Sequence, residues 1–356
     1  MGVYDTLANE DATGGEAVRI AVLMPMDSPF ASWGQTRGIE HTLRRMGYET
    51  LPVSLPTEPN PSKQMLNSVK QNVPPLSEIA KCDAVLVSGP EHIGPWIAEV
   101  YERYEWHSIT DNLPTGAWLH ESCEREDYSI DFESIQWMAR DWFFPAIQDA
   151  EKHDQAMFAL DHSHYCPFAV DSVIFDDDER EVRTFPVAFI GLLYPKRVAY
   201  LNALAQHSIP AIRFGKVMIE DLHGYRSEET TLRYADNLRD IKVFFNLPAM
   251  SRLVVSKVFE VMACGALCIT PMLPPEGGVS KNMALFGAGQ ELIYYRPSHL
   301  AGVGAILRDW SGPERYLDRQ RITAAAVRKI KEKHTLEVRL AEMFQRMGVA
   351  AKLVVQ

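Results

Sequence analysis

Two basic side chains follow a glycine at a predicted strand-to-helix turn in the second half of the chain. The strand is predicted at residues 186–193, and Lys196 and Arg197 come shortly after Gly191, where the next helix begins. Cations are unfavourable beside the positive end of a helix dipole, so their presence there favours a bound anion. Backbone N–H groups and charge-assisted hydrogen bonds at this turn predict a site for a phosphate group.

The stretch 242–274 carries the other candidates for chemistry. Its pattern predicts a buried strand at 243–247, a helix carrying Glu260, and a second buried strand at 267–271. Gly265 falls at the helix C-terminus, where a left-handed residue is common and glycine adopts that conformation at least cost. A unit of this kind brings the helix N-terminus to the carboxyl edge of a parallel sheet, where anionic ligands bind.

Three polar residues precede or open this helix. Arg252 lies in the loop before it, and Ser256 and Lys257 come at its predicted start. Arg252 or Lys257 would meet a phosphate group with its positive charge, and the hydroxyl of Ser256 would donate a hydrogen bond to that group. A structural role for each of the three is an equally good interpretation of the sequence.

Three blocks of sequence, taken in order, resemble glycosyltransferases of the GT-B fold. The upstream block is VAFIG with the basic pair behind it, and the central block is FEVMACGALCITPML with the segments 285–286 and 290–295 after it. The tail block joins residues 324–327 to the pair HT and to Arg339. The combination is closest to the branch of spore-maturation-protein-like glycosyltransferases, which have a group 1 type C-terminal domain. The resemblance is good over residues 165–345 and loose over the first half.

The resemblance implies an α/β fold of the GT-B type, with two Rossmann-like domains facing each other across a cleft. Residues 16–170 would form the acceptor-binding domain, and residues 171–335 would form the nucleotide-sugar-binding domain. A C-terminal helix within 336–356 would cross back onto the first domain, and residues 1–15 would be a flexible leader. At 356 residues the chain is long enough for two such domains.

The implied activity is transfer of a sugar from a nucleotide-diphosphate sugar to a hydroxyl acceptor, with retention at the sugar and without a metal ion. The nucleotide sugar is a co-substrate, no further cofactor is expected, and the acceptor is a small molecule, a glycan or a modified base. Glu260 matches the glutamate whose carboxylate accepts hydrogen bonds from the nucleotide ribose, and it is expected to face the open cleft without a buried partner. Arg197 matches the basic residue that faces the diphosphate.

One position departs from the pattern of retaining relatives. Those enzymes often carry another glutamate eight positions before the ribose-binding one, and this chain has Arg252 there. The departure leaves open a protein that binds nucleotide sugars without transferring them. A glycosyltransferase acting on hydroxylated bases in DNA is a further alternative, although a net charge of −11 opposes broad binding to a phosphate backbone.

The first half supplies candidates for the opposite side of the cleft. Gly34 follows the first predicted strand, and the resemblance implies that it lets the backbone approach the donor phosphates; a simple turn is the alternative. His120 ends another predicted strand and is the first candidate for a catalytic residue, holding the donor sugar or an acceptor hydroxyl. Glu121, Asp27 and His92 are alternative bases if the reaction inverts at the sugar.

The remaining pattern predicts further elements of an α/β chain. Strands are predicted at 18–24, 48–53, 83–88, 115–119, 155–160, 211–214 and 291–295, and helices at 35–46, 96–104, 134–142, 197–206, 231–239, 300–310, 313–333 and 336–347. The proline-rich stretch 56–75 is predicted to be a surface loop. The acidic run 176–178 is interpreted as a solvated connection rather than a metal site, because no apolar strand directly precedes it.

The composition limits which metal sites, disulfides and membrane segments are expected. Five scattered cysteines without metal-like spacing favour reduced thiols, so neither a structural metal nor a disulfide is expected. No run of about 18 apolar residues is present. The N-terminus also lacks the basic start and apolar centre of a signal peptide. We therefore expect a cytoplasmic protein without a membrane span.

Overall fold

The structure is a computed structural model of the chain. It describes residues 17–25, 33–57, 62–120, 136–146, 162–191, 195–205, 228–247, 255–272 and 285–349. The named strands within these ranges lie in two separate parallel sheets, one from each half of the chain.

The first sheet is built from the first half of the chain. Its strands are β1 (Arg19–Pro25), β2 (Glu49–Leu55), β3 (Ala84–Ser88), β4 (Thr115–Leu119) and β5 (Trp142–Pro145), paired in the order β2-β1-β3-β4-β5. Neighbouring side chains of β1 belong to different cores, with Ala21 and Leu23 in one and Ile20 and Val22 in the other. Burial on both faces explains the continuous apolar run of this strand.

Helices supply the apolar partners of both faces of this sheet. In the described part of the first half they are α1 (Arg37–Arg45), α2 (Lys63–Asn72), α3 (Leu76–Ile79), α4 (Pro90–Tyr101) and α5 (Arg103–Asn112). Trp96 of α4 and Trp106 of α5 fill the core that contains Leu23, whereas Ile39 of α1 belongs to the core that contains Val22.

The second sheet has the same plan. Its strands are β6 (Phe185–Ala188), β7 (Ile241–Phe245), β8 (Leu267–Pro271) and β9 (Ile293–Tyr295), paired in that order, and the helices are α6 (Pro195–Ala205), α7 (Glu228–Arg239), α8 (Ser256–Ala263), α9 (Leu300–Ser311) and α10 (Tyr316–Lys333). α6 packs against α9, whereas α8 packs against α7 and α10, so the helices form two layers. Gly265 ends α8 with a φ of 69°, as predicted.

Two crossings of the chain, at Val170 and at His334, form the join between the sheets, and they pair with each other. The N–H of Val170 donates to the carbonyl of His334 at 3.0 Å, and the N–H of Leu336 donates to the carbonyl of Val170 at 2.8 Å. After the second crossing, α11 (Leu336–Arg346) packs into a core of the first sheet through Leu340 and Phe344. The predicted helix that crosses back is therefore confirmed.

A buried carboxylate ties this join to the first sheet. Asp171 is fully buried and accepts hydrogen bonds from Trp33 Nε1 at 2.9 Å and from Arg45 Nη2 at 2.7 Å. Arg45 also pairs with Glu337 Oε1 at 3.1 Å. The cluster links α1, the first crossing and α11, so the join is held by directed bonds as well as by apolar packing.

Three predictions about the first half are wrong. The stretch 56–75 contains α2 rather than a continuous loop, because its prolines lie outside the helix and Ser62 accepts a capping hydrogen bond from the N–H of Met65 at 3.2 Å. The helix predicted at 96–104 is interrupted at Glu102, which has a φ of 56°.

The third wrong prediction is the helix at 134–142. Its described residues form a short 3-10 helix, Gln136–Met138, and then the start of β5. The sequence of β5 is WFFP, and aromatic residues favour a half-buried strand.

The acidic run 176–178 is paired with arginines rather than merely solvated. Each carboxylate binds one guanidinium, in the pairs Asp176–Arg239, Asp177–Arg183 (3.0 Å) and Asp178–Arg180 (2.7 Å). The run therefore anchors the connection to the second half of the chain. Among the described residues, no group of three or more His, Cys, Asp or Glu side chains is arranged to hold a metal ion.

Two of the predicted strands, at 155–160 and 211–214, lie outside the described residues. None of the described helices is long and apolar enough to cross a membrane.

Candidate active site

Two cations pack on one phenylalanine ring at the carboxyl edge of the second sheet. Phe189 directly follows β6, and its ring centroid lies 5.1 Å from Arg197 Cζ and 5.1 Å from Lys257 Nζ. Arg197 is a buried residue in the first turn of α6, and Lys257 lies in the first turn of α8. Cation–π attraction therefore holds two positive groups together at the N-terminal ends of two helices.

The backbone at Gly191 lies directly against these cations. A Cβ atom on Gly191 would overlap Lys257 Nζ and would lie 2.8 Å from Phe189 Cζ. The predicted residues Gly191, Arg197 and Lys257 are thus brought together. Ser256, the first residue of α8, is half-buried next to Lys257, and the side chain of Lys196 lies outside the described part of the structure.

Burial makes positive charge costly at this edge. Burial lowers the pKa of Lys257, and the nearby charge of Arg197 lowers it further, whereas Glu260 opposes the shift. An anion beside Lys257 would favour its ammonium form, because an opposite charge stabilises the charged state. The electrostatics of the cluster therefore suit a negatively charged ligand.

Glu260 lies one helical turn after Lys257 and has a tyrosine partner. The residue is 5% exposed, and its Oε2 accepts a hydrogen bond from the hydroxyl of Tyr234, in α7, at 3.0 Å. Burial raises the pKa of Glu260, while the bond from Tyr234 and the charge of Lys257 lower it. The expectation that Glu260 faces an open cleft without a buried partner is therefore corrected.

His120 occupies the carboxyl edge of the first sheet. It directly follows β4, is 2% exposed, and its Nε2 lies 3.3 Å from Ser88 Oγ at the end of β3. Its backbone N–H donates to Glu91 Oε1 at 2.7 Å, and the Ser88 hydroxyl donates to the carbonyl of Gln35 at 2.7 Å. Burial, followed by the nearby His92, lowers the pKa of His120 well below its usual range, so the imidazole is neutral at pH 7.

The other predicted residues of the first half are only partly described. Gly34 is buried in the 3-10 helix Trp33–Gln35, which follows β1 along the chain. Asp27, Glu121 and Arg252 lie outside the described residues. Their roles, and the phosphate contact of Gly34, stay predictions.

Three residues of these clusters were not singled out as site residues by sequence reasoning. Phe189 lies in the block that carries the resemblance, and its position directly after β6 is a usable signal. Ser88 ends β3 before a Gly-Pro pair, which places it at the ligand-binding edge of a parallel sheet. Tyr234 is one residue of a helix, and nothing in its spacing connects it with Glu260.

The comparison with family models identifies the second half of the chain. A glycosyl transferase-like family model matches residues 199–345, which run from α6 through β7, β8 and β9 to α11 and begin after β6. No curated protein matches the sequence significantly.

Solved structures share the fold over nearly the whole chain. HepE (Alr3699) of Anabaena, in complex with UDP-glucose, is 11% identical with a TM-score of 0.58, covering 93% of this chain and 98% of its own. A glycosyltransferase from Rickettsia africae ESF-5 is 10% identical with a TM-score of 0.59, covering 94% and 98%. An α-glucosyltransferase in complex with UDP and a 13-mer DNA is 11% identical with a TM-score of 0.60, covering 93% and 100%.

This chain carries a glycosyl transferase-like domain in a GT-B fold. The predictions of the GT-B fold and of a glycosyltransferase enzyme are thereby confirmed. The spore-maturation-protein-like branch stays a prediction. In this GT-B enzyme the cluster of Arg197, Lys257 and Glu260 belongs to the second sheet, and the cluster around His120 belongs to the first.

Proposed function

We propose that this GT-B enzyme transfers a sugar from a nucleotide-diphosphate sugar to a hydroxyl acceptor, with retention at the sugar and without a metal ion. The observation that carries the proposal is the packing of Arg197 and Lys257 on the Phe189 ring, one helical turn from Glu260. Two cations and a carboxylate thus share one carboxyl edge of a parallel sheet, which is where doubly wound folds bind nucleotides.

The cations suit the leaving group of this reaction. When the bond between sugar and phosphate breaks, negative charge grows on the departing diphosphate. Arg197 and Lys257 would stabilise that charge, together with the N-terminal N–H groups of α6 and α8. The protein itself can supply this positive charge, so transfer would need no metal ion at the diphosphate.

The carboxylate suits the ribose of the donor. The Tyr234 hydroxyl fixes Oε2 of Glu260, and a carboxylate has further lone pairs with which to accept from the ribose hydroxyls. The neighbours suggest which nucleotide to test first, since HepE was solved with UDP-glucose and the α-glucosyltransferase with UDP. We therefore propose UDP-glucose as the first donor to test.

Thermal unfolding against a panel of nucleotide sugars tests the binding step. A ligand that binds only the native protein raises the melting temperature by mass action, so the true donor should stabilise more than its nucleoside. The same donor should release sugar slowly into water in the presence of EDTA. With an added hydroxyl acceptor, the NMR spectrum of the glycoside formed should show that the anomeric configuration is retained. Stabilisation without any release or transfer would favour a binding protein, and no stabilisation by any nucleotide sugar would contradict the proposal.

A DNA acceptor is the second candidate, because the α-glucosyltransferase neighbour was solved with a DNA 13-mer. The net charge of −11 opposes it unless the acceptor side carries a local basic groove. Salt-dependent binding of a hydroxymethylated oligonucleotide, followed by transfer of label onto it, would favour DNA. Transfer to small polyols without any DNA shift would favour the general hydroxyl acceptor.

A further inference from the structure

We infer that Ser88 is a positioning residue for sugar binding: it holds the His120 imidazole in the tautomer whose Nδ1 accepts a hydrogen bond from a hydroxyl of the bound sugar. The inference rests on the proposed function, because it requires a sugar-bearing ligand at this edge. It deepens that function by assigning a protonation state to His120 and naming the residue that selects it.

The hydrogen-bond chain permits one arrangement of protons. A serine hydroxyl has a single proton, and Ser88 Oγ lies 2.7 Å from the carbonyl of Gln35, which can only accept. Ser88 Oγ is then the acceptor in its 3.3 Å contact with His120 Nε2. Nε2 therefore carries the ring proton, and in the neutral imidazole Nδ1 has a lone pair.

This lone pair has no partner in the described part of the structure. His120 Nδ1 is buried and accepts no hydrogen bond from any described residue. A buried acceptor without a donor costs free energy, and a ligand hydroxyl would remove that cost. A ligand with a hydrogen-bond donor would therefore bind favourably at Nδ1, and sugars carry several hydroxyl donors.

Gly89 lies directly beside this nitrogen and has no side chain to cover it. A Cβ atom on Gly89 would lie 3.3 Å from His120 Nδ1 and 3.4 Å from His92 Cδ2. Gly89 has a φ of 65°, a left-handed conformation that other residues rarely adopt. The chain thus uses its smallest residue at the point where a side chain would crowd Nδ1.

Several elements hold the ring in place. Ser88 is fully buried, and Glu91 Oε1 accepts a hydrogen bond from the backbone N–H of His120 at 2.7 Å. The Trp118 ring meets the imidazole edge-on, with a distance of 5.1 Å between the ring centroids. Burial also lowers the pKa of His120, which disfavours the imidazolium form that would donate from Nδ1. His120 is therefore placed to bind a hydroxyl as an acceptor rather than to act as a general acid.

The test combines NMR with affinity measurements on Ser88→Ala. In protein labelled with ¹⁵N-histidine, long-range ¹H–¹⁵N spectra should show His120 of the wild type protonated at Nε2, and in Ser88→Ala a shift of population toward Nδ1–H. Affinity for UDP-glucose should fall roughly threefold to tenfold, the effect of one weakened hydrogen bond, while affinity for UDP alone should not change. A purely structural role for Ser88 would lower both affinities together.

Thr110→Val is the matched control, because Thr110 is a buried hydroxyl of the same half that donates to the carbonyl of His107 at 3.2 Å. It should alter neither the tautomer nor the ratio of the two affinities. A wild-type His120 protonated at Nδ1 would overturn the inference, whether or not Ser88→Ala folds. So would a Ser88→Ala protein that keeps both the tautomer and the affinity ratio. A wild type that binds no nucleotide sugar would instead contradict the proposed function, and the spectrum of the free protein would still decide the tautomer.

Discussion

At the scale of single residues, the candidate donor site places charges where the fold has removed water. Lys257 and Glu260 lie one turn apart on α8. Burial lowers the pKa of Lys257 and raises that of Glu260, and both shifts favour the neutral side chain. Arg197 adds a second cation on the same aromatic ring. A bound diphosphate would reduce the repulsion between the two cations, and Glu260 would accept hydrogen bonds from the ribose.

Arg197→Ala should weaken binding of the nucleoside diphosphate by about 1.5–3 kcal/mol, the range for hydrogen bonds to charged groups. The nucleoside without phosphate should bind wild type and variant almost equally, because Arg197 is assigned to the phosphates alone. Isothermal titration calorimetry with both ligands measures the difference. Arg140→Ala, which removes an exposed guanidinium paired with Asp111, is the control and should change neither affinity. Equal losses for both ligands would make Arg197 a structural residue.

Glu260→Gln should weaken binding of the nucleotide by roughly 1–3 kcal/mol. The amide oxygen can replace Oε2 as the acceptor from Tyr234, so the amide nitrogen faces the ribose and an acceptor becomes a donor. The free energy of unfolding of the ligand-free protein should change little, because the Tyr234 bond survives.

A 2′,3′-dideoxy nucleoside diphosphate provides the discriminating measurement for Glu260. Wild type should bind it as weakly as Glu260→Gln binds the ribose form, and the variant should hardly distinguish the two ligands. Glu229→Gln alters an exposed carboxylate on α7 and should leave ribose discrimination intact. A Glu260 variant that discriminates as strongly as wild type would remove this residue from the site.

At the scale of elements, the join between the sheets contains a second buried histidine with a different task. His334 is 2% exposed, and its ring centroid lies 5.2 Å from that of Phe259 on α8. Its Nδ1 accepts a hydrogen bond from Arg339 Nη2 at 2.8 Å, so the folded protein holds this ring neutral. Burial, and then the charge of Arg339, lowers the pKa of His334 to about 3.

This shift predicts a loss of stability in acid. Between the unfolded pKa of about 6.5 and the folded value, the unfolded chain binds one more proton at His334 than the native protein does. Protons therefore favour unfolding, and the contribution approaches about 1.4 kcal/mol per pH unit within that window.

Urea unfolding measured from pH 7 down to pH 4 tests this prediction. His334→Asn keeps an acceptor for Arg339 but cannot titrate, so its free energy of unfolding should be lower overall and should fall less steeply with acid. His107→Gln, which replaces an exposed histidine on α5, is the control for the loss of one histidine away from this network. Equal slopes for wild type and His334→Asn would contradict the assignment.

The elements also show what the sequence could and could not predict. The unit β7–α8–β8 was predicted in the right order, with β8 correct to the residue and β7 displaced by two, because buried β-branched and aromatic runs and the left-handed Gly265 are local signals. The helix α2 was missed because five prolines in 56–75 suggested a loop, although all of them lie outside the helix itself. Counting prolines over the whole stretch hides their positions. The capping residue Ser62 is the local signal that marks the start of the helix.

The residues of the candidate site could be predicted where they lie in a recognisable sequence motif, but the contacts between separate segments could not. Gly191, Arg197 and Glu260 belong to motifs that resemble known glycosyltransferases, and Lys257 lies just before one of them. The fold brings Gly191, Arg197 and Lys257 together. The bond from Tyr234 to Glu260 joins residues from different helices, and the chain from Gln35 through Ser88 to His120 joins three segments. Contacts of that kind depend on packing, which no local spacing records.

At the scale of the whole molecule, several contacts link the two sheets. The two crossings at Val170 and His334 and the returning helix α11 connect them, and Trp33 and Ala146 of the first half pack into the core of the second. We propose that the boundary between the acceptor-binding and donor-binding domains lies near residue 170, as the resemblance implies. Asp171, with Trp33 and Arg45, would then anchor the hinge to the first domain.

The predicted contacts to the diphosphate come from both halves, from Gly34 in the first and from Arg197 in the second, so we predict that a nucleoside diphosphate draws the two domains together. Closure of a cleft around a hinge is a common response to a ligand that contacts both sides. A compact chain of this length has a radius of gyration of roughly 20 Å, and closure should reduce it measurably at saturating nucleotide.

Small-angle X-ray scattering with and without nucleotide measures this change, and Arg197→Ala separates closure from nonspecific effects. At a nucleotide concentration that saturates wild type but not the variant, only wild type should become more compact. At a concentration that saturates both, the two proteins should reach the same radius, because Arg197 contributes affinity while the hinge around Val170 and His334 is unchanged. A scattering profile of wild type that stays the same at saturation would mean that the join holds the cleft at one width, and the donor would then have to enter a site already formed between the sheets.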